Sequence, residues 1–161
     1  IVKPRVSGAA KNTMAISRAE AGAYIARINK LLQDEPFLAQ PFLEEIKTQG
    51  EWSFIFFNGR YSHAVLKTAK SGDFRVQHFF GGSVHTPTPP AGMLQTATTI
   101  VEQFATDCLY ARVDGVELEG ELVLMELELI EPFLFLSTSE GALDRYYQAL
   151  EQLLKQEIAR V

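Results

Sequence analysis

Two glutamates, Glu126 and Glu128, stand two residues apart in the run VLMELELIEP. In a strand, pleating directs both to one face, and Met125, Leu127 and Leu129 to the other, which reads as core. The stretch Leu109 to Pro132 has the alternation of a β-hairpin about a turn at Glu119-Gly120-Glu121, and its first arm carries Arg112 and Asp114. Register decides whether Asp114 joins the glutamates. A three-residue loop, 119 to 121, pairs Leu118 with Leu122 and sets Asp114 opposite Glu126 and Arg112 opposite Glu128. A two-residue loop sends Asp114 to the other face, because a one-residue slip flips every side chain. Three carboxylates on one face repel one another unless a cation lies among them. Oxygen donors without His or Cys suit Mg²⁺ or Mn²⁺ rather than zinc, and Mg²⁺ keeps positions open for substrate phosphates. One reading is therefore a metal–nucleotide site. The other is a solvated antiparallel strand with Glu on its wet side.

Several elements must position such a group. Ile1 to Val6 reads as a strand, followed by the small-residue loop Ser7-Gly8-Ala9-Ala10-Lys11-Asn12-Thr13. Small residues admit a ligand close to the backbone, with Lys3 and Lys11 as nearby cations, although the spacing of a Walker loop is absent. Ser17-Arg18-Ala19-Glu20 forms a capping box that opens a helix to about Gln33. Phe37 to Phe42 reads as a short strand interrupted by Pro41, hence an edge or a break. EWSFIFF (51 to 57), Asn58-Gly59 and RYSHAVLKT (60 to 68) make a second hairpin. Trp52 reads as packing and His63 as a structural histidine. Lys70 to Gln77 turns at Ser71-Gly72-Asp73 and returns as a strand with Arg75; Val84 to Pro90 is a proline-rich loop. Helices follow at Met93 to Ala105 and at about 140 to 159, the second with the apolar stripe of a core face. The order is α+β, an antiparallel sheet with flanking helices.

The 161 residues suffice for one domain or two small lobes. A formal charge of −5 argues against a nucleic-acid partner. One cysteine, Cys108, excludes an internal disulfide framework and suggests a reducing, cytoplasmic compartment. No apolar run approaches a membrane span. Cations in the first half (Lys3, Lys11, Lys67, Arg75) and carboxylates in the second suit phosphoryl transfer, where positioning and charge neutralisation dominate.

Five segments in order, IVKP, SGAAKNT, QPFLEE, GDFRVQHFFGG, and VDGV followed twelve residues after its Asp by ELE, cover nearly the whole chain. Together they resemble the C-terminal part of an ATP-grasp enzyme, similar to the ribosomal-protein glutamate ligases and bacterial glutathione synthetases. The resemblance implies an ATP-grasp-type antiparallel sheet, with residues 1–45 as a partial nucleotide-binding lobe and 46–161 as the C-terminal lobe with its metal site. It implies ATP as substrate and Mg²⁺ or Mn²⁺ as cofactor. Lys3 and the loop around Gly8, with Lys11, would meet the phosphates. Gln40 and the backbone of Pro41, Phe42 and Leu43 would hold adenine, and Glu51 the ribose. Arg75 would neutralise the transferred phosphoryl group, and Asp114, Glu126 and Glu128 would bind two Mg²⁺ ions. Two positions depart from the family: Glu128 stands where Asn is common, and Glu51 where Asp is usual. Both keep an oxygen donor.

The implied activity is a carboxylate–amine (or thiol) ligase acting through an acylphosphate on a small-molecule or peptide carboxylate and an amine acceptor; a homodimer is a candidate assembly. Ile1-Val2-Lys3-Pro4 opens the chain without Met, so the expectation is a fragment lacking the family's N-terminal part and much of its acceptor site, and inactive alone. Two other classes remain: a catalytically inactive nucleotide-binding regulatory module, and a structural α+β domain without a ligand.

Overall fold

The computed structural model describes residues 1–6, 11–69 and 82–160. The chain divides into two compact units, Ile1–Glu44 and Glu45–Val161. In the first, β1 (Val2–Pro4) pairs antiparallel with β2 (Phe37–Ala39), setting Lys3 opposite Leu38. The Ile1 amine donates to the Gln40 carbonyl at 2.8 Å, and the Gln40 amide returns a bond to the Ile1 carbonyl at 2.9 Å. α1 (Ala21–Leu31) lies between them in sequence. Its capping box is formed: the Ser17 amide donates to Glu20 Oε2 and the Glu20 amide to Ser17 Oγ, both at 3.3 Å. The box closes the turn just before the helix rather than its first turn. β2 stops at Ala39, two residues before Pro41, which has no N–H to offer a ladder.

The second unit is built on a five-stranded antiparallel sheet. After the short α2 (Glu45–Thr48) come β3 (Glu51–Phe57), β4 (Arg60–Thr68) and β5 (Ser83–His85), then α3 (Ala91–Phe104), β6 (Tyr110–Leu118), β7 (Glu121–Glu128) and α4 (Ala142–Arg160). The spatial order is β5-β4-β3-β6-β7. β5 is a short edge strand within the expected proline-rich loop, where Val84 pairs with Lys67 before the prolines begin. β3 is buried along its length because both neighbours and both faces are covered. On one face Trp52, Phe54 and Phe56 pack with Ala111, Val113 and Leu122 under Met93, Ala97 and Val101 of α3. On the other, Ile55, Phe57 and Val65 pack with Phe135 and with Ala149 of α4. Trp52 is thus a packing residue, stacked on Phe54 at 5.9 Å between ring centroids. His63 is held structurally, with Nε2 at 3.1 Å from the Leu134 carbonyl and Nδ1 at 2.9 Å from Ser62 Oγ.

The β6–β7 hairpin turns differently from the three-residue expectation. Leu118 pairs with Glu121, so the loop is the two residues Glu119-Gly120, both at positive φ. Asp114 nevertheless faces Glu126, and Arg112 faces Glu128, because the register shifts between Asp114 and Gly115. Gly115 pairs with Leu124, which leaves Met125 as the extra residue of a β-bulge. The bulge undoes the inversion that the shorter loop imposes. It also explains why Leu122 and Leu127, of opposite parity, both reach the α3 side of the sheet. Gly115 makes room for it: a Cβ there would lie 2.6 Å from both the Val123 carbonyl oxygen and Leu122 Cδ1.

Candidate functional site

The strands bring one group of charged side chains to the end of the sheet face opposite α3. Glu51 and Ser53 share that face on β3, Lys67 comes from β4, Arg112 and Asp114 from β6, and Glu126 and Glu128 from β7. Carboxylate oxygens of Asp114, Glu126 and Glu128 all lie within 4.8 Å of one another. Asp114 is the centre, only 1% exposed. Its Oδ1 accepts from Ser53 Oγ at 2.6 Å and Arg112 Nε at 2.9 Å, and its Oδ2 from Arg112 Nη2 at 2.8 Å and Lys67 Nζ at 3.3 Å. Lys67 also pairs with Glu51 at 2.8 Å, and Arg112 with Glu128. The Arg112 Nη1 donates to the Phe133 carbonyl at 3.0 Å, and its guanidinium lies 5.9 Å from the Phe135 ring centroid.

Protonation follows from this packing. Burial pushes the Asp114 carboxyl up, but Lys67 and Arg112, with hydrogen bonds from Arg112 and Ser53, outweigh it and hold it below the usual carboxylate range. Burial works against the Lys67 ammonium, and Asp114 and Glu51 more than offset it, so the lysine stays charged. Glu51 lies the other way: burial is its largest influence and leaves its carboxyl raised despite Lys67. Among the described residues, the carboxylates of Glu51, Asp114, Glu126 and Glu128 gather around the cations Lys67 and Arg112. The all-oxygen donor set of Asp114, Glu126 and Glu128 is of the kind a hard divalent cation takes.

No protein-family model matches the chain. It is 30% identical over a 173-residue alignment to the cycloserine biosynthesis protein DcsG of Streptomyces lavendulae, covering 96% of this chain and 55% of that protein. The crystal structure of the D-cycloserine synthetase DcsG superposes with a TM-score of 0.74 at 29% identity, over 94% of this chain and 55% of that one. Two structures of D-alanine–D-alanine ligase from Bacillus anthracis, one complexed with ATP, superpose with TM-scores of 0.59 and 0.55 at 16% and 11% identity. They cover 96% and 99% of this chain, and 55% and 59% of theirs. The fold is the ATP-grasp fold. DcsG and D-alanine–D-alanine ligase are ATP-grasp ligases, and this chain spans about half the length of each, which fits a C-terminal portion of the fold.

Within the ATP-grasp framework the expected residues fall into three groups. Asp114, Glu126 and Glu128 converge, and Glu51 joins the same network through Lys67. Lys3, Lys11, Gln40, Pro41, Phe42 and Leu43 belong to the first unit: Lys3 is half-buried on β1, Lys11 is exposed, and residues 40–43 form the irregular stretch after β2. Gly8 and Arg75 lie outside the described residues. Sequence reasoning did not place Ser53 in the site, and took Lys67 as a general phosphate cation rather than the partner of Asp114. Gly50, at φ +91°, brings β3 against β4 where a Cβ would meet the Lys67 carbonyl oxygen at 2.4 Å, and this sets Glu51 beside Lys67. Only the parity of Glu51 and Ser53 hinted at a shared polar face. Among the described residues no helix is long and apolar enough to cross a membrane.

Proposed function

We propose that this chain is the ATP- and Mg²⁺-binding part of an ATP-dependent carboxylate–amine (or thiol) ligase that works through an acylphosphate. The observation that carries the reading is the convergence of Asp114, Glu126 and Glu128 beside two buried cations, on a sheet of the ATP-grasp fold. A carboxylate oxygen of the first substrate attacks the γ-phosphorus, the bond to the β–γ bridging oxygen breaks, and ADP leaves. The amine or thiol then displaces inorganic phosphate from the acylphosphate. Bound at Asp114, Glu126 and Glu128, Mg²⁺ supplies charge neutralisation for the β- and γ-phosphates. Lys67 and Arg112 add positive charge beside those carboxylates; the two cations and Asp114 are buried, whereas Glu126 and Glu128 open toward solvent.

The remaining roles are assigned on the family pattern. Lys3, Gly8 and Lys11 meet the phosphates, Gln40 to Leu43 the adenine, and Arg75 the transferred phosphoryl group. A ribose contact by Glu51 would compete with Lys67 for a buried carboxylate, so the geometry favours Glu51 as the group that holds Lys67 in place. The names of the relatives, which carry D-alanine and D-cycloserine, support small amino-acid-like substrates.

The test is thermal. ATP and Mg²⁺ together should raise the melting temperature of the chain, with neither sufficing alone, and at a hundred-fold excess over the dissociation constant the gain is about 2.7 kcal/mol. No shift with both at millimolar concentration overturns the reading.

A further inference from the structure

Ser53 is fully buried at the centre of β3, on the polar stretch of its face, directly across from Asp114 on β6. Its hydroxyl donates to Asp114 Oδ1 at 2.6 Å. Among the described residues the other donors to that carboxylate, Lys67 and Arg112, are charged and shared: Lys67 with Glu51, Arg112 with Glu128 and the Phe133 carbonyl. A phosphate or a divalent ion joining the site would compete for the same charges and so would draw on their hold on Asp114. The serine is neutral and reaches the carboxylate from within the sheet.

We propose that Ser53 is a positioning residue for metal binding: its hydroxyl fixes the plane of the Asp114 carboxylate, so that the group presents the cation with one orientation while Lys67 and Arg112 exchange partners. The inference rests on the Mg²⁺–ATP reading above. Removing such an outer hydrogen bond to a metal-ligating carboxylate commonly costs about 10–100-fold in metal affinity. Packing alone gives no reason for a hydroxyl here, since Ile55 and Val65 occupy neighbouring buried positions on the same face.

The experiment measures direct binding of Mn²⁺ in the presence of ATP, by the loss of the free-ion electron paramagnetic resonance signal, together with the metal-free melting temperature. Ser53→Ala removes the donor. Ser53→Cys keeps the side-chain shape but supplies a poor donor, and Ser53→Thr restores the hydroxyl. The Mn²⁺ midpoint should rise about 10-fold or more in the alanine and cysteine variants and return toward the parent value in the threonine variant. An alanine or cysteine variant that binds Mn²⁺ like the parent overturns the proposal and leaves the ligase reading standing. A midpoint that rises only in step with a falling metal-free melting temperature, whichever side chain is present, assigns Ser53 to stability and overturns it equally. If the unsubstituted chain binds no Mn²⁺ with ATP, the ligase reading itself fails and this inference with it.

Discussion

Along β3 the side chains facing away from α3 change from Glu51 and Ser53 to Ile55 and Phe57, and the neighbouring strands change with them. Lys67 gives way to Val65 on β4, while Asp114 gives way to Arg112 and then Tyr110 on β6. At the apolar end α4 and the segment around Phe135 close over the sheet, and Phe57 packs edge-on against Tyr146 at 5.4 Å. At the polar end the side chains satisfy one another by ion pairs and hydrogen bonds. Arg112 marks the border, with Phe135 on one side and Asp114 and Glu128 on the other. The same pleat thus carries a closed apolar core and a cluster of charged side chains. The first is closed by α4 and the segment around Phe135, and the second groups the oxygen donors of the proposed metal site.

The sharpest way to break this comparison is to remove one residue from each end. Asp114→Ala takes from the buried Lys67 and Arg112 the carboxylate they share, leaving them Glu51 and Glu128, and losing one partner of a buried ion pair costs about 3–5 kcal/mol. Phe57→Ala should cost a similar 3–5 kcal/mol through lost contacts and a cavity. The two losses are distinguishable by ligand response. The phenylalanine variant should keep the melting-temperature gain from Mg²⁺ and ATP, whereas the aspartate variant should lose it. Urea unfolding with and without ligand reads both, and a destabilisation under about 1 kcal/mol for Asp114→Ala would remove it from the centre of the charge network.

A smaller effect is expected at the rim. Glu128 is partly exposed, pairs with Arg112 and has the carboxylates of Asp114 and Glu126 as neighbours. Glu128→Gln should therefore change metal-free stability by less than about 1 kcal/mol, the scale of like charges across strands. The Mg²⁺ concentration for half-maximal ATP-dependent stabilisation should rise. Lower metal-free stability with an unchanged midpoint would make Glu128 a structural partner of Arg112 and not a ligand.

The smallest effect lies at the closed end. Burial is the main influence on His63 and pushes its imidazole below the ordinary value, so the folded state favours the neutral ring. Below about pH 6.5 the unfolded chain binds more protons at this position than the folded one, and stability rises with pH there. Acidification from pH 7.5 to 5.5 should lower the urea midpoint, and His63→Gln should flatten that slope. An equal slope in the variant would move the titration to another group.

Much of this was legible because short-range chemistry dictated it. Asn58-Gly59 between two alternating runs specified the β3–β4 hairpin, Pro41 ended β2, and the spacing of Glu126 and Glu128 put them on one face of β7. The motif order pointed to the ATP-grasp fold, which the superpositions share. The position of Asp114 was not legible in the same way. Loop length alone would have turned it to the other face, and the bulge at Met125, which turned it back, has no local signature beyond the room that Gly115 leaves.

By itself, then, the sequence determined the longer elements, the parity of residues within each of those strands, and a set of oxygen donors suited to a hard cation. These depend on backbone stereochemistry and on side-chain type over a few residues. Only the tertiary structure decided which strands lie side by side, and hence that Ser53 faces Asp114 and that Lys67 reaches it from β4. Those contacts join residues 61 and 47 positions apart, and such pairings are selected by burial of the whole sheet against α3 and α4 rather than by any neighbour in the chain.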